Sequence, residues 1–223
     1  MKKQLLLAVS ASLLCLSIES NAQKWTKLFD GKTFKGFKQL GGKAVYEVKD
    51  GVMVGTTVPS TGNSFMATEQ EYGDFILEVD VKVDNNMNSG IQFRSLSIPT
   101  YNNGVVHGYQ AEIDPSTRGW SGGIYDESRR GWLSQNELKP EAKKAFQLGD
   151  VWNHYRIEAI GNTIRTWINE VPVTYLVDDM TAKGFIAFQV HGIYGNMKPG
   201  MQVMWKNIRI QTGKDMQPRP LDG

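Results

Sequence analysis

Apolar and polar residues alternate at every second position through much of the chain. From Phe75 to Val83, one face carries Phe75, Leu77, Val79, Val81 and Val83, and the other Ile76, Glu78, Asp80 and Lys82. Period two is the spacing of a half-buried strand. The same pattern runs through Ile91–Arg94, Tyr109–Asp114, Trp152–Ile160, Thr163–Ile168, Gly184–His191 and Gln202–Gln211. Trp25–Phe29 reads as a first strand before the turn Asp30-Gly31-Lys32. Tyr46–Val48 and Val52–Val54 form a hairpin about Asp50-Gly51, and Asn169-Glu170 marks another hairpin turn. Only Pro140–Leu148 looks helical, because Glu141 to Phe146 is rich in helix formers. About nine strands and one short helix predict an all-β fold of two antiparallel sheets packed face to face.

Alternation also sorts side chains by face. Ile91, Phe93, Tyr109, Ala111, Ile113, Ile186, Phe188 and Val190 belong to the core. The opposite faces of the same three strands then carry Gln92 and Arg94; Gln110, Glu112 and Asp114; Gln189 and His191. A solvated sheet face usually mixes Lys, Thr and Glu. Here two carboxylates, a guanidinium, an imidazole and three amides converge if the strands share one sheet. That is the equipment of a sugar-acting site: acceptors and donors for hydroxyls, a general base and a cation for developing negative charge.

Each residue also has a plainer reading. Arg94 and Glu112 could form a cross-strand ion pair, His191 could be a satisfied strand-end histidine, and Asp114-Pro115 could start a turn. Trp120, Tyr125 and Trp132 sit in or just after the Gly-rich stretch Gly119–Gly131, which reads as loop. They suit stacking on sugar C–H faces or anchoring of the loop. His107 and His154 are set outside the cluster, and Arg129-Arg130 reads as a solvated loop pair. Asp84, Asn85, Asn86 and Asn88 have no calcium-loop spacing and read as a surface turn. Glu112-Ile113-Asp114 lacks the second glutamate that would complete the paired carboxylates of a retaining glycosidase.

Composition narrows the class. The chain has 223 residues, 40% hydrophobic and 22% charged, with a net charge of +2, so it is globular and lacks the basic stripe of a nucleic-acid binder. Met1-Lys2-Lys3, the apolar run Leu5–Leu16 and Ser20-Asn21-Ala22 are the three parts of an export signal, with cleavage expected after Ala22. The apolar run is short for a membrane span. Cys15 is the one cysteine and lies in this leader, so the expected mature protein has no disulfide and no thiolate metal site. The expected organisation is a signal peptide over 1–22, one domain over 23–215, and a flexible Pro-containing tail over 216–223. Location is then periplasmic or extracellular.

Several segments in order resemble one family. They are Leu28-Phe29-Asp30-Gly31-Lys32, Val48-Lys49-Asp50-Gly51, Tyr72-Gly73-Asp74-Phe75, Asn88-Ser89-Gly90-Ile91 with Phe93-Arg94, Gly108-Tyr109-Gln110 with Glu112-Ile113-Asp114, Trp152-Asn153, Val171-Pro172-Val173, and Gly184-Phe185-Ile186-Ala187 with Gln189-Val190-His191. Over about residues 25–212 the chain resembles the 3-keto-disaccharide hydrolase family. The resemblance implies a concanavalin-like jelly-roll sandwich and cleavage of 3-keto-glycosides. A ketone at C3 acidifies the C2 proton; a base removes it, the C1 substituent leaves, and water adds afterwards or not at all. Mapped onto this chain, the catalytic residues are Glu112 or His191 as base and Arg94 as stabiliser of the ketone oxygen. Gln92, Gln110, Asp114, Gln189, Trp120, Tyr125 and Trp132 bind substrate. No cofactor is called for, and a divalent metal in place of Arg94 is the alternative. The expected partner is a carbohydrate, with no nucleic acid and no membrane span. The competing expectation is a non-catalytic lectin-like module, which would rely on aromatics and amides and tolerate loss of Glu112 and His191.

Overall fold

The computed structural model describes residues 24–59, 61–134, 138–195 and 197–220. The expected leader with its Cys15, and the end of the expected tail, lie outside the described residues. Among the described residues fifteen strands, numbered in chain order, build two antiparallel sheets.

The first sheet contains β1 (Thr26–Lys27), β3 (Val45–Lys49), β4 (Val52–Thr56), β6 (Phe75–Val83), β11 (Asn153–Ile160), β12 (Thr163–Ile168), β13 (Val171–Val177) and β15 (Gln202–Thr212). Their order is β13-β12-β11-β6-β15-β4-β3, with β1 added to β15. The second sheet contains β2 (Phe37–Gly41), β5 (Ser64–Tyr72), β7 (Ser89–Leu96), β8 (His107–Ile113), β9 (Ile124–Glu127), β10 (Gly131–Trp132) and β14 (Gly184–Val190). Their order is β10-β9-β8-β7-β14-β5-β2.

The core lies between the sheets and is made by the alternating residues read from the sequence. Phe75, Leu77, Val79 and Val81 of β6 meet Ile91, Phe93, Tyr109, Ala111, Ile113, Ile186 and Phe188 of the second sheet, all buried. Phe93 stacks on Tyr109 with ring centroids 5.6 Å apart, and Phe188 packs on Trp205 at 5.6 Å. Burial of such side chains contributes roughly 1.5–3 kcal/mol each.

Three expectations are corrected. The helix over Pro140–Leu148 is only a single 3-10 turn at Ala142–Lys144. Nine residues are too few to nucleate an α-helix on propensity alone, and burial of Ala142 and Ala145 fixes a tighter turn. The stretch read as loop from Gly119 to Gly131 contains β9, so Tyr125 is a strand residue, and Trp132 lies in β10. The tail does not hang free over 216–220. Its Gln217 and Arg219 carbonyls accept from Arg156 and Arg165 at 2.9 Å each, and its Arg219 backbone N–H donates to Glu158 at 3.0 Å.

Candidate active site

Two rows of paired residues build the site on the face of the second sheet turned away from the core. Gln189 on β14 pairs with Gly90 on β7, which pairs with Glu112 on β8. The neighbouring row is Ala187, Gln92, Gln110 and Tyr125 of β9. His191 and Asn88 lie just beyond the last paired row, Val190–Ser89–Ile113. Adjacent strands thus bring Gln92, Gln110, Glu112, Gln189 and Tyr125 together, as alternation requires.

A directed chain of hydrogen bonds ends on Glu112. The Ser95 hydroxyl donates to Gln92 Oε1 (2.7 Å), Gln92 Nε2 donates to Gln110 Oε1 (2.8 Å), and Gln110 Nε2 donates to Glu112 Oε2 (3.0 Å). Asn88 Nδ2 donates to the other carboxylate oxygen. Gly90 makes this possible: a Cβ there would run into the Gln110 side chain that crosses above it. The carboxyl of Glu112 is buried, and its pKa is pushed up to about 7. Desolvation is the largest cause; the Asn88 and Gln110 donors oppose it, while the nearby negative charges of Asp114 and Glu127 add to it.

His191 donates through Nδ1 to the Gly192 carbonyl (2.7 Å). A carbonyl only accepts, so Nδ1 carries the proton and a neutral ring presents a bare Nε2. Burial holds the imidazole pKa below its usual value, which favours that neutral form. Two residues absent from the sequence expectations complete this side. Asn63 accepts from the Gly192 backbone N–H (2.9 Å) and donates to Glu127 Oε1 (3.3 Å); Gln189 Nε2 donates to Glu127 Oε2 (3.4 Å). Burial pushes the Glu127 carboxyl upward as well. Strands β9 and β14 are three places apart, about 14 Å at the usual strand spacing. The Glu127–Gln189 contact therefore spans the face from β9 to β14, so the sheet is concave there, a trough rather than a flat surface.

The remaining expected residues divide. Trp132 packs edge-on against Trp120 (4.8 Å) and Tyr125 (5.1 Å), with the Arg118 guanidinium 4.3 Å from the Trp120 ring, forming an aromatic wall at the β9–β10 edge. Asp114 follows its plainer reading. Its carboxylate accepts from the Ser116 backbone N–H (3.0 Å) and pairs with Arg118 (3.0 Å), so it anchors a turn beside Glu112.

Arg94 is not part of the cluster. A bulge shifts the register between Phe93 and Leu96, and Arg94 adopts a left-handed φ of 44°, which breaks the alternation and turns its side chain away. The guanidinium instead donates to the Gly73 carbonyl (2.8 Å), the Gly161 carbonyl (2.8 Å) and Asp74 Oδ1 (2.9 Å). These are turns at the β5–β6 and β11–β12 ends, so Arg94 ties the two sheets together. His107 and His154 also stay outside: His107 stacks on Tyr101 at 4.0 Å, and His154 pairs with Asp80 at 2.8 Å on the outer face of the first sheet. Arg129 and Arg130 do lie in the turn between β9 and β10, with Arg130 exposed, but they are not free of partners: both hold the buried Asp126, and Arg130 also pairs with Asp178. Among the described residues no group of three or more His, Cys, Asp or Glu side chains is placed to hold a metal ion.

Residues 24–211 match the family model of the 3-keto-disaccharide hydrolases, described as the 3-keto-alpha-glucoside-1,2-lyase-like domain. No curated protein matches the sequence. Among solved structures, a Parabacteroides distasonis protein provisionally described as a glycosyl hydrolase is 22% identical, with a TM-score of 0.60 over 85% of this chain and 99% of that one. The carbohydrate-binding module CBM66 of Bacillus subtilis is 15% identical (TM-score 0.51, 79% and 96% covered). The Bacillus licheniformis beta-glucanase is 14% identical (TM-score 0.53, 87% and 100% covered). At these identities the likeness is one of fold: the two packed sheets that the alternation predicts, in the jelly-roll sandwich that the resemblance implies.

Proposed function

The chain belongs to the 3-keto-alpha-glucoside-1,2-lyase-like domain family, and from that premise we propose that it cleaves 3-keto-glycosides by removing the C2 proton. Glu112 is the base. The observation that carries this is a buried carboxylate poised at about pH 7, fed by a one-way chain of donors on a trough-shaped face. A base with a pKa near the working pH combines a useful ionised fraction with real proton affinity. Neutral His191 stands beyond Glu112 with a free ring nitrogen and takes or passes a hydroxyl proton. Gln189 Oε1 is fully buried without a hydrogen-bond partner. A buried orphan acceptor costs about 1–3 kcal/mol, and a sugar hydroxyl entering the trough would satisfy it.

In this reading the C3 ketone makes the C2–H bond acidic. Glu112 takes the proton, and the electrons enter the enolate of C2, C3 and O3. Amide N–H groups of Gln92, Gln110 and Asn88 are the donors available to the ketone oxygen, the role expected of Arg94. When the enolate collapses, C1=C2 forms and the C1–O bond breaks. The aromatic wall of Trp120, Tyr125 and Trp132 borders the trough where an apolar sugar face or aglycone would stack.

The test is aglycone release from a 3-keto-glucoside and from the same glucoside unoxidised, with and without chelator or added divalent metal. The reading expects turnover of the keto sugar alone. Glu112→Gln should lower kcat by 10²-fold or more, on the order expected for a lost general base, and His191→Ala should lower it less. Sugar binding without turnover under every condition would replace catalysis with the lectin-like alternative. We further propose that the protein acts outside the cytoplasm after loss of residues 1–22. N-terminal sequencing of the protein recovered from cells should begin at Gln23; an intact Met1 would contradict this.

A further inference from the structure

The retaining-glycosidase idea fails in the sequence for want of a second glutamate near Glu112. The fold supplies one from fifteen residues further along the chain. Glu127 alternates with the inward Asp126 and shares the face of Tyr125, which pairs with Gln110 beside Glu112. Its carboxyl is aimed across the trough by Asn63 and Gln189, and Gln189 stands in the same row as Glu112. One buried and one half-buried carboxyl, each held by amide donors, therefore stand close enough on different strands for the charge of Glu127 to act on Glu112. All three contacts to Glu127, from Asn63, Gln189 and the Ser128 hydroxyl, are long, at 3.3–3.5 Å.

We propose that Glu127 is the general acid of the reaction, protonating the departing glycosidic oxygen while Glu112 accepts the C2 proton. This deepens the function proposed above and rests on it. The balance is closed. The C2–H bond breaks and its proton goes to Glu112; C3=O is restored as C1=C2 forms; the C1–O bond breaks and that oxygen takes the proton of Glu127. Glu112 ends protonated and Glu127 ionised, and exchange with water resets both. Burial raises the affinity of both carboxyls for a proton; the roles are assigned by position, Glu112 at the end of the donor chain and Glu127 across the face from it.

The leaving group provides the test. With an alkyl or sugar aglycone, Glu127→Gln should lower kcat by 10²- to 10⁴-fold, the usual range for a lost acid. With 4-nitrophenol, which leaves without a proton, the loss should be less than about tenfold. A 1,5-anhydro-3-keto sugar has nothing to eliminate, so its C2 deuterium exchange reports the base alone. That exchange should survive Glu127→Gln, which also shows that the variant is folded, and should be lost in Glu112→Gln. Equal losses with both aglycones and in exchange would assign Glu127 to positioning and overturn the proposal. Should the variant not fold, wild type decides: the alkaline limb of its pH profile should flatten with 4-nitrophenol, and an unchanged limb overturns the acid role. Inertness of wild type toward every 3-keto sugar would instead refute the proposed function itself. Cleavage of unoxidised glycosides would make the two glutamates a retaining pair.

Discussion

At the scale of the residue, Glu112 is where stability and function pull against each other. Its folded pKa of about 7 lies above the ordinary 4.5, so the fold favours the protonated acid. The stabilisation is complete below pH 4.5 and is lost as pH rises toward 7; above that the difference is constant. A shift of this size corresponds to about 3 kcal/mol. Glu112→Gln should therefore be more stable than wild type at pH 8 and indistinguishable from it near pH 4. Urea melts at the two pH values measure this, and a pH-independent difference would show that burial does not set the charge of this group. Gly90→Ala makes a companion test. Its Cβ would push Gln110 aside and cut the donor chain, so kcat of the folded protein should fall about tenfold or more, as a lost donor implies, and the melting temperature should fall too because buried amides lose their partners. An unaltered kcat would remove the chain from the account.

At the scale of the element, the correction at Arg94 shows what alternation cannot see. A one-residue bulge changes which face every later side chain takes, and nothing in Phe93-Arg94-Ser95 announces it. Arg94 should thus behave as a fastener. Arg94→Met removes three donors from two turns and should cost at least about 2 kcal/mol, with kcat unchanged in the folded fraction. A large kcat defect with normal stability would return Arg94 to the site. The strands β6, β7, β8 and β14 were legible because each carries apolar residues at successive alternate positions, and with them came Gln92, Gln110, Glu112 and Gln189. Glu127 was hidden because its strand puts Asp126 inward, where arginines neutralise it, so the apolar-in pattern fails at the position that mattered. Strand β5 was hidden because Phe65 and Ala67 line one face while Met66 fills the other, which erases the period of two. Asn63 and Asn88 come from connecting segments, where no periodicity exists to place them.

At the scale of the whole molecule, one sheet carries the chemistry and the other a buried network of charge. On its outer face Glu158 meets Arg156 and Arg165, and Glu78 meets Arg156 and Arg209. The chain end at 217–220 covers this network and gives it backbone partners. Removing residues 216–223 would uncover desolvated charges and lower the melting temperature by on the order of 5 °C. Turnover should survive, because the trough belongs to the other sheet. A truncated protein as stable as the full chain would make that cover incidental.

The whole account turns on the C2 proton of a 3-keto sugar. The most direct measurement follows a 3-keto-glucoside deuterated at C2 through the reaction of the wild-type protein. The account predicts either a primary isotope effect on kcat/KM or washout of the label into water from recovered substrate, and neither in Glu112→Gln. Aglycone released from wild type with no isotope effect and with the label fully retained at C2 of the product would contradict it.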